Sequence, residues 1–151
     1  MDVKIVARNR KAYHEYHILE KYEAGIELSG SEVKSIREGR ASLKEGFIQV
    51  RKGQVWLIGM HISPYSHTGY SGHEPIRDRR LLLRKREIMK LNQFITQKGL
   101  TAIPLQLYFN LRGWAKVEIG VARGKKFYDK REAIKARDLE RDKNRELRKK
   151  G

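Results

Sequence analysis

Two neighbouring stretches of alternating apolar and polar residues constrain the fold of this chain more than any other feature. Residues 105–111 carry an apolar side chain at every odd position, and residues 115–121 repeat the alternation after Arg112-Gly113. Successive side chains of a β-strand point to opposite faces of a sheet, so this period of two predicts a hairpin with one buried face.

A second hairpin is predicted between residues 47–51 and 54–61, both of which are rich in apolar side chains. The Lys52-Gly53 pair between them suits a two-residue turn, because glycine readily adopts the positive φ that such turns need.

Glycine and proline mark breaks in two other segments. Residues 13–28 are rich in aromatic and β-branched side chains, which predicts two strand segments that bend at Gly25. Residues 63–75 combine glycine, serine, histidine and two prolines, and this composition predicts a mobile loop.

Two helices are predicted between these strands. Ser29 stands three residues before Glu32, the spacing of a capping box, and this predicts a short helix over residues 31–38. Residues 81–98 place apolar side chains at helical spacing and end before Gly99, which predicts the longest helix of the fold.

About six short strands with helices between them predict a mainly β chain with helices, of the α+β class. We expect a small, closed or nearly closed barrel of the oligonucleotide-binding type, with flanking helices and a basic C-terminal tail. The predicted domains are this barrel over residues 1–122 and a tail over residues 123–151. The tail carries 13 Lys and Arg against 6 Asp and Glu, with no continuous apolar stripe, so we expect it to be disordered alone and helical when bound.

The charge of the chain predicts a polyanionic partner. It holds 34 Lys and Arg against 18 Asp and Glu, a formal net charge of +16, which repels itself unless a partner supplies counter-charge. Nucleic acid is the first candidate. A membrane surface ranks below it, because the basic residues are spread along the chain rather than gathered beside an apolar run. We therefore expect no membrane association. The lack of cysteine and of an apolar export signal in the first residues leads us to expect a cytoplasmic location.

Catalytic and metal chemistry find little support in the sequence. The chain has no cysteine, and no glycine-framed serine elbow, phosphate-binding loop or paired-acid motif occurs in it. His61, His67 and His73 recur at six-residue intervals, a spacing that suits neither a helix face nor alternate positions of one strand. We predict that the protein is not an enzyme and needs no cofactor or metal.

Basic residues form four groups, at residues 8–11, 34–40, 77–90 and 123–131. A solvated face would explain any one of them. Their occurrence together with aromatic side chains and polar loops favours RNA, because phosphates bind Arg and Lys while unpaired bases stack on rings.

Four further side chains carry open interpretations. His14 and His17 are assigned to a strand as packing or hydrogen-bonding residues, with an RNA contact as the minor alternative for His14. Glu32 is interpreted as a helix cap. Glu23 could stand in a turn or salt bridge, accept hydrogen bonds from a guanine edge, or hold a basic side chain against phosphate.

Several ordered blocks of the sequence resemble those of one known family. The blocks are Asn9-Arg10-Lys11-Ala12, His14-Glu15-Tyr16, Glu23-Ala24-Gly25-Ile26, Gly30-Ser31-Glu32-Val33-Lys34-Ser35, Arg80-Leu81-Leu82-Leu83, Leu107-Tyr108, Gly120-Val121-Ala122-Arg123-Gly124-Lys125-Lys126 and Asp129-Lys130-Arg131. They resemble the tmRNA-binding protein family, also called SsrA-binding protein or small protein B.

This resemblance implies a barrel that binds the tRNA-like part of tmRNA and completes a tRNA shape. It places Asn9, Glu23 and Leu83 at or near the RNA-binding face, although Leu83 could instead support that face from beneath. The side chains that it implies as phosphate or sugar contacts are Arg10, Lys11, Lys34, Arg80, Lys125 and Lys126.

The resemblance also implies a role for the tail. In the family the tail enters the vacant mRNA path of a stalled ribosome, near the decoding region of the small subunit, and becomes helical there. Asp129-Lys130-Arg131 matches the entry motif, and Tyr128 stands where relatives often carry histidine. Leu147 retains part of an apolar pair that is frequent near the end of relatives.

The expected partners are therefore tmRNA, the ribosome and, through tmRNA, elongation factor Tu, and the chain itself is expected to be a monomer. The function that follows is rescue of stalled ribosomes by trans-translation. A structural ribosomal protein and an RNA-processing enzyme are the alternatives.

Overall fold

Nine strands and three helices make up the part of the chain that the computed structural model describes, residues 3–64 and 74–124. In chain order they are β1 (Lys4–Arg8), α1 (Arg10–Glu15), β2 (Tyr16–Ile26), α2 (Gly30–Arg37), β3 (Ala41–Ser42), β4 (Phe47–Arg51), β5 (Gln54–Ile58), β6 (His61–Ile62), β7 (Arg79–Leu82), α3 (Lys85–Thr96), β8 (Thr101–Phe109) and β9 (Ala115–Gly124). Most of the predicted loop at 63–75 and nearly all of the predicted tail lie outside the described residues.

Seven strands form one antiparallel sheet in the order β1-β8-β9-β2-β7-β5-β4, and β3 pairs with β6 in a small second ladder. The sheet curls, because β4 lies against β8 and β1 lies against β3, while α3 packs against β4 and β8. The predicted mainly β, barrel-like fold with flanking helices is confirmed.

The main hydrophobic core fills the inner face of this curled sheet. Inward-facing positions of β2, β7 and β9, among them Ala24, Leu81, Val117 and Ile119, are buried there. These positions alternate with outward-facing residues, so the period of two in the sequence follows directly from the pleat of the strands.

The expectation of a single buried face is wrong for the first half of β8. The register of β8 against β9 shifts between Pro104 and Gln106. Ile103 and Leu105 therefore face outward, while Leu107 faces the main core. Helix α1 covers these outward residues and buries them in a small second core. A β-bulge, which the alternation alone does not reveal, is the physical reason.

The predicted hairpin turn and the predicted helix cap are both confirmed. In the β4–β5 hairpin Lys52 and Gly53 have φ of 51° and 73°. At the start of α2 the Ser29 side chain accepts from the Glu32 backbone N–H, and the Glu32 carboxylate accepts from the Ser29 backbone N–H. The helix itself lies within one residue of its predicted bounds.

Three predicted elements are corrected. Residues 81–98 are not one helix: Leu81 lies in β7, paired with both β2 and β5, and α3 begins only at Lys85. Residues 13–15 belong to α1, so His14 lies on a helix and not on a strand. Beyond them β2 is one continuous strand, and its irregularity falls between Ile18 and Glu20 rather than at Gly25.

Backbone pairing explains the first of these differences. The short run 79–82 finds hydrogen-bond partners on both sides, and such tertiary pairing overrides a helical spacing in the sequence. Helix α3 is nevertheless the longest helix among the described residues, as predicted.

A buried ion network joins α2 to β7. Glu32 is fully buried, and its Oε2 accepts a hydrogen bond from Arg79 Nε at 2.5 Å while its Oε1 accepts one from Arg77 Nη2 at 2.5 Å. Arg79 is also fully buried, and its remaining donors bind the carbonyl oxygens of Met60 at 2.8 Å and Pro75 at 3.2 Å. The pair therefore ties α2, β7 and the two ends of the 61–75 connection together.

The energetics of this network follow from its burial. Burial raises the pKa of the Glu32 carboxyl, but hydrogen bonds from Arg77, Ser29 and Arg79 outweigh it and hold that pKa below its ordinary value of 4.5. Burial lowers the pKa of Arg79, although its bond to Glu32 opposes the shift. A buried charge that loses its partner is strongly destabilising.

We predict that Glu32→Gln lowers the free energy of unfolding by about 3 kcal/mol, because it leaves the Arg79 charge buried without a counter-charge. Urea denaturation near neutral pH measures this. Because the folded pKa of Glu32 is lowered, its contribution is present above pH 4.5 and is lost as the pH falls. The difference between the two proteins should therefore shrink in acid.

The matched control is Glu27→Gln, which removes a half-exposed partner of Arg80 at 3.9 Å. A surface pair of this kind contributes at most about 1 kcal/mol. Equal losses from the two substitutions would contradict the central role given to the buried network.

Candidate nucleic-acid interface

The outer face of the sheet is organised by strand register into two rows. The first row crosses five strands through Ile5, Tyr108, Lys116, Gly25 and Leu82. The second crosses four strands through Arg8, Gln106, Glu118 and Glu23. Their neighbours on the strands, such as Ala24 and Val117, point into the core, so these two rows point outward. We call them, with Lys21 and Arg80, the outer face.

Helix α1 borders the outer face at one end. Asn9 caps the helix through its Oδ1, which accepts from the Ala12 backbone N–H at 3.3 Å, and its Nδ2 donates to the Pro104 carbonyl at 2.9 Å. The helix is thereby fixed to β8. Lys21 Nζ lies 6.0 Å from the centre of the Tyr13 ring, so α1 and β2 present a cation and an aromatic ring side by side.

An open groove of about 520 Å³ continues this aromatic region along β2. Tyr13, Tyr16 and Lys21 are among its lining residues. Rings and cations at the edge of one groove match the chemistry that holds unpaired bases and their phosphates.

A carboxylate cluster lies in the middle of the outer face. Glu23 is exposed and stands directly opposite Glu118 on β9. The Tyr108 hydroxyl donates a hydrogen bond to Glu23 Oε2. Burial, the bond to Glu23 and the charges of Glu23 and Glu118 raise the pKa of Tyr108 well above its ordinary value, so the phenol stays protonated at neutral pH.

Cations flank these carboxylates. Lys21 Nζ lies 3.9 Å from Glu118 Oε1. A Cβ placed on Gly25 would lie 3.8 Å from Lys116 Nζ and 3.4 Å from Leu82 Cβ. Because Gly25 has no side chain, the surface stays low between an ammonium group and an exposed leucine.

The structure brings only some of the predicted site residues together. Glu23 and Arg80 lie on the outer face, and Arg10, Lys11 and His14 lie on the exposed side of the bordering α1. Lys34 is exposed on α2, which packs elsewhere, against β6. The remaining predicted site residues lie outside the described residues: Lys125, Lys126, Tyr128, Asp129, Lys130, Arg131 and Leu147.

Two of the predicted site residues make contacts within the protein that stabilise the fold. Asn9 is 6% exposed, and both ends of its amide are bound within the protein. Leu83 is half-buried against the main core, whereas its neighbour Leu82 is 45% exposed. Leu82 is thus the leucine whose side chain reaches the outer face.

Sequence reasoning did not single out Lys116, Leu82 and Tyr108, which the structure places on the outer face. The alternation in residues 115–121 already placed Lys116 on the polar face, so that signal was available. The alternation in residues 105–111 likewise placed Tyr108 opposite the core face, but its bond to Glu23 had no signal in the sequence, because it crosses β9 and depends on the order of strands in the sheet.

Other site chemistries find no support in the part of the chain that the structure describes. No helix there is long and apolar enough to cross a membrane. Residues 3–64 and 74–124 hold no group of three or more His, Asp or Glu side chains arranged to bind a metal ion.

Known proteins resemble this chain along nearly its whole length. Residues 6–149 match the family model described as SmpB protein. The SsrA-binding protein of Carboxydothermus hydrogenoformans is 56% identical over 145 residues, which cover 96% of this chain and 97% of the relative. That of Chlorobaculum tepidum is 60% identical over 133 residues, which cover 88% of this chain and 85% of the relative.

A solved structure described as "tmRNA-SmpB: a journey to the center of the bacterial ribosome" has a TM-score of 0.67 and 48% sequence identity, and the match covers 78% of this chain and 82% of that chain. The family model, the relatives and the shared fold agree. The chain belongs to the SmpB family of SsrA-binding proteins.

Proposed function

We propose that this chain binds the tRNA-like part of tmRNA and acts with it on stalled ribosomes in trans-translation. The observation that carries the proposal is the outer face, where cations, an exposed leucine and an oriented carboxylate stand together beside an aromatic groove. Relatives named SsrA-binding protein and a solved structure that pairs tmRNA with SmpB support the same function.

Each part of the face has a role in this binding. Lys116, Arg80 and the basic residues of α1 neutralise phosphates, which supplies affinity without sequence information. Tyr13 and Tyr16 offer rings for stacking, and Glu23 accepts hydrogen bonds from base or ribose donors. Asn9 and Leu83 act by holding α1 and β7 in place.

We propose no catalytic step for the chain. Its role in trans-translation is to bind tmRNA and complete its tRNA shape. GTP hydrolysis during delivery of tmRNA to the ribosome belongs to elongation factor Tu, which the chain contacts through tmRNA. We propose a monomer that works in the cytoplasm. A structural ribosomal protein is disfavoured, because the family takes its name from a different RNA.

We further propose that the chain divides its work between two regions. Residues 1–122 bind tmRNA, and residues 123–151 enter the vacant mRNA path near the small-subunit decoding region. In the second region Tyr128, Asp129-Lys130-Arg131 and Leu147 make the ribosomal contacts, while Lys125 and Lys126 contact RNA next to the barrel. The net charge of +7 over residues 123–151 supports this role.

Binding to a transcript of the tRNA-like part of tmRNA should exceed binding to a random transcript of equal length. It should also weaken with salt, roughly as the −0.7 to −0.9 power of salt concentration per neutralised phosphate. Fluorescence anisotropy over a salt series measures both. Equal affinity for the two transcripts would refute the function, and flat salt dependence would refute the electrostatic argument.

The variant Lys116→Gln provides the matched test of the outer face in the same assay. Loss of one phosphate contact should reduce the salt exponent by about one. Lys52→Gln removes the same charge from the β4–β5 turn, which is not part of the outer face, and should leave the exponent unchanged.

Deleting residues 129–151 should leave binding to tmRNA largely intact and abolish peptide tagging on stalled ribosomes. Tagging in a reconstituted translation system, beside anisotropy on the same preparation, measures the two activities separately. Normal tagging by the truncated chain would contradict the division of work.

A further inference from the structure

Glu23 occupies a position that electrostatics alone does not favour. Its register partner across the β2–β9 pair is Glu118, and like charges directly opposite one another destabilise an antiparallel pair. Glu118 Oε1 is itself buried and has no hydrogen-bond partner among the described residues, with Lys21 Nζ the nearby cation at 3.9 Å. Free of other contacts, the Glu23 side chain would turn away from β9.

Tyr108 opposes this tendency. Its hydroxyl donates to Glu23 Oε2 from β8, so the phenol must reach across β9, which lies between β8 and β2 in the sheet. The Tyr108 residue is only 8% exposed, and a buried ring cannot follow a moving carboxylate. The hydroxyl is therefore a fixed donor that holds Glu23 over the sheet.

The contact leaves half of the carboxylate available. An ionised carboxylate has two oxygens, each able to accept more than one hydrogen bond. Among residues 3–64 and 74–124, the Tyr108 hydroxyl is the one hydrogen-bond donor to Glu23, and it binds Oε2. Oε1 of an exposed side chain thus remains oriented and ready to accept a bond from a ligand.

We propose that Tyr108 is a positioning residue for RNA recognition, which holds the Glu23 carboxylate at a fixed place so that its free oxygen accepts a hydrogen bond from one base or ribose donor. This inference rests on the proposed function. The fixed carboxylate contributes to selectivity rather than to overall affinity, because it repels any bound RNA that places a phosphate against it. Cognate RNA offers a donor there, and random RNA does not.

The experiment is a double-mutant cycle on Tyr108→Phe and Glu23→Gln. Anisotropy is measured with the tRNA-like transcript of tmRNA and with a random transcript of equal length. Tyr108→Phe should reduce affinity for the tRNA-like transcript about tenfold, the loss expected for one hydrogen bond to a charged group. Affinity for the random transcript should rise slightly, because the freed carboxylate no longer repels phosphate placed against it.

The cycle should be non-additive. Glu23→Gln should lose at least as much selectivity as Tyr108→Phe, and the double variant should lose no more than Glu23→Gln alone. Full additivity, or wild-type selectivity in Tyr108→Phe, would overturn the inference. Tyr22→Phe removes a hydroxyl from the core side of the same β2 strand and serves as the control that should keep full selectivity.

A second variant keeps the inference testable if Tyr108→Phe does not fold. Glu23→Asp retains the charge on an exposed side chain but shortens it by one methylene, so the Tyr108 hydroxyl no longer reaches it. We expect a selectivity loss close to that of Glu23→Gln, whereas wild-type selectivity would show that charge alone suffices.

A third variant tests the repulsion that Tyr108 opposes. Removing the opposing charge with Glu118→Gln in the Tyr108→Phe background should restore part of the lost selectivity, and a merely structural tyrosine would give no such rescue. If the wild-type chain itself does not distinguish the two transcripts, the proposed function fails and this inference fails with it. Loss of selectivity in none of the Tyr108 and Glu23 variants, with wild-type selectivity intact, overturns the inference alone.

Discussion

The pairing of β9 with two neighbours at once is the constraint on which the rest of this structure depends. β9 bonds to β8 on one side and to β2 on the other, in antiparallel register over most of its length. This register fixes Val117, Ile119 and Val121 in the core and therefore directs Lys116 and Glu118 outward. Core and interface are two consequences of one set of backbone hydrogen bonds.

The buried ion network shows that a basic residue in the sequence is not necessarily available to bind RNA. Arg77 and Arg79 belong to a basic group that the sequence suggests as an RNA contact, yet both bind the buried Glu32. Replacing a buried ion pair with apolar residues is often neutral or stabilising, so the pair's value here lies in geometry. It fixes β7 against α2, and β7 carries Arg80 and Leu82 to the outer face.

Local patterns predicted most of the elements, because caps, turns and alternation are decided within a few residues. The Ser29–Glu32 capping box, the Lys52-Gly53 turn and the β8–β9 hairpin are of this kind. The predictions that failed for β7 and β8 depended on partners distant in sequence. Residues 79–82 form a strand because β2 and β5 flank them, and the bulge after Pro104 turns Leu105 toward α1.

The candidate site also combines features that the sequence predicts with features that depend on distant partners. Exposed cations could be assigned from composition and from the family resemblance, and Glu23 stood out because it is an acid in a basic chain. Its orientation could not be predicted, since it requires Tyr108 to reach over an intervening strand. Asn9 is the converse case, a polar residue suggested for RNA whose amide is bound within the protein.

A chain with a net charge of +16 attracts any polyanion, and selectivity must therefore come from groups that discriminate between polyanions. Phosphate contacts are made equally by all RNA sequences. A carboxylate on a cationic surface works in the opposite sense, because it penalises every bound arrangement that places phosphate against it. That penalty is effective only if the carboxylate cannot move aside, so the rigidity supplied by a buried phenol matters as much as the charge. Under the proposed function, selectivity comes from the few acidic groups of this surface rather than from the many basic ones.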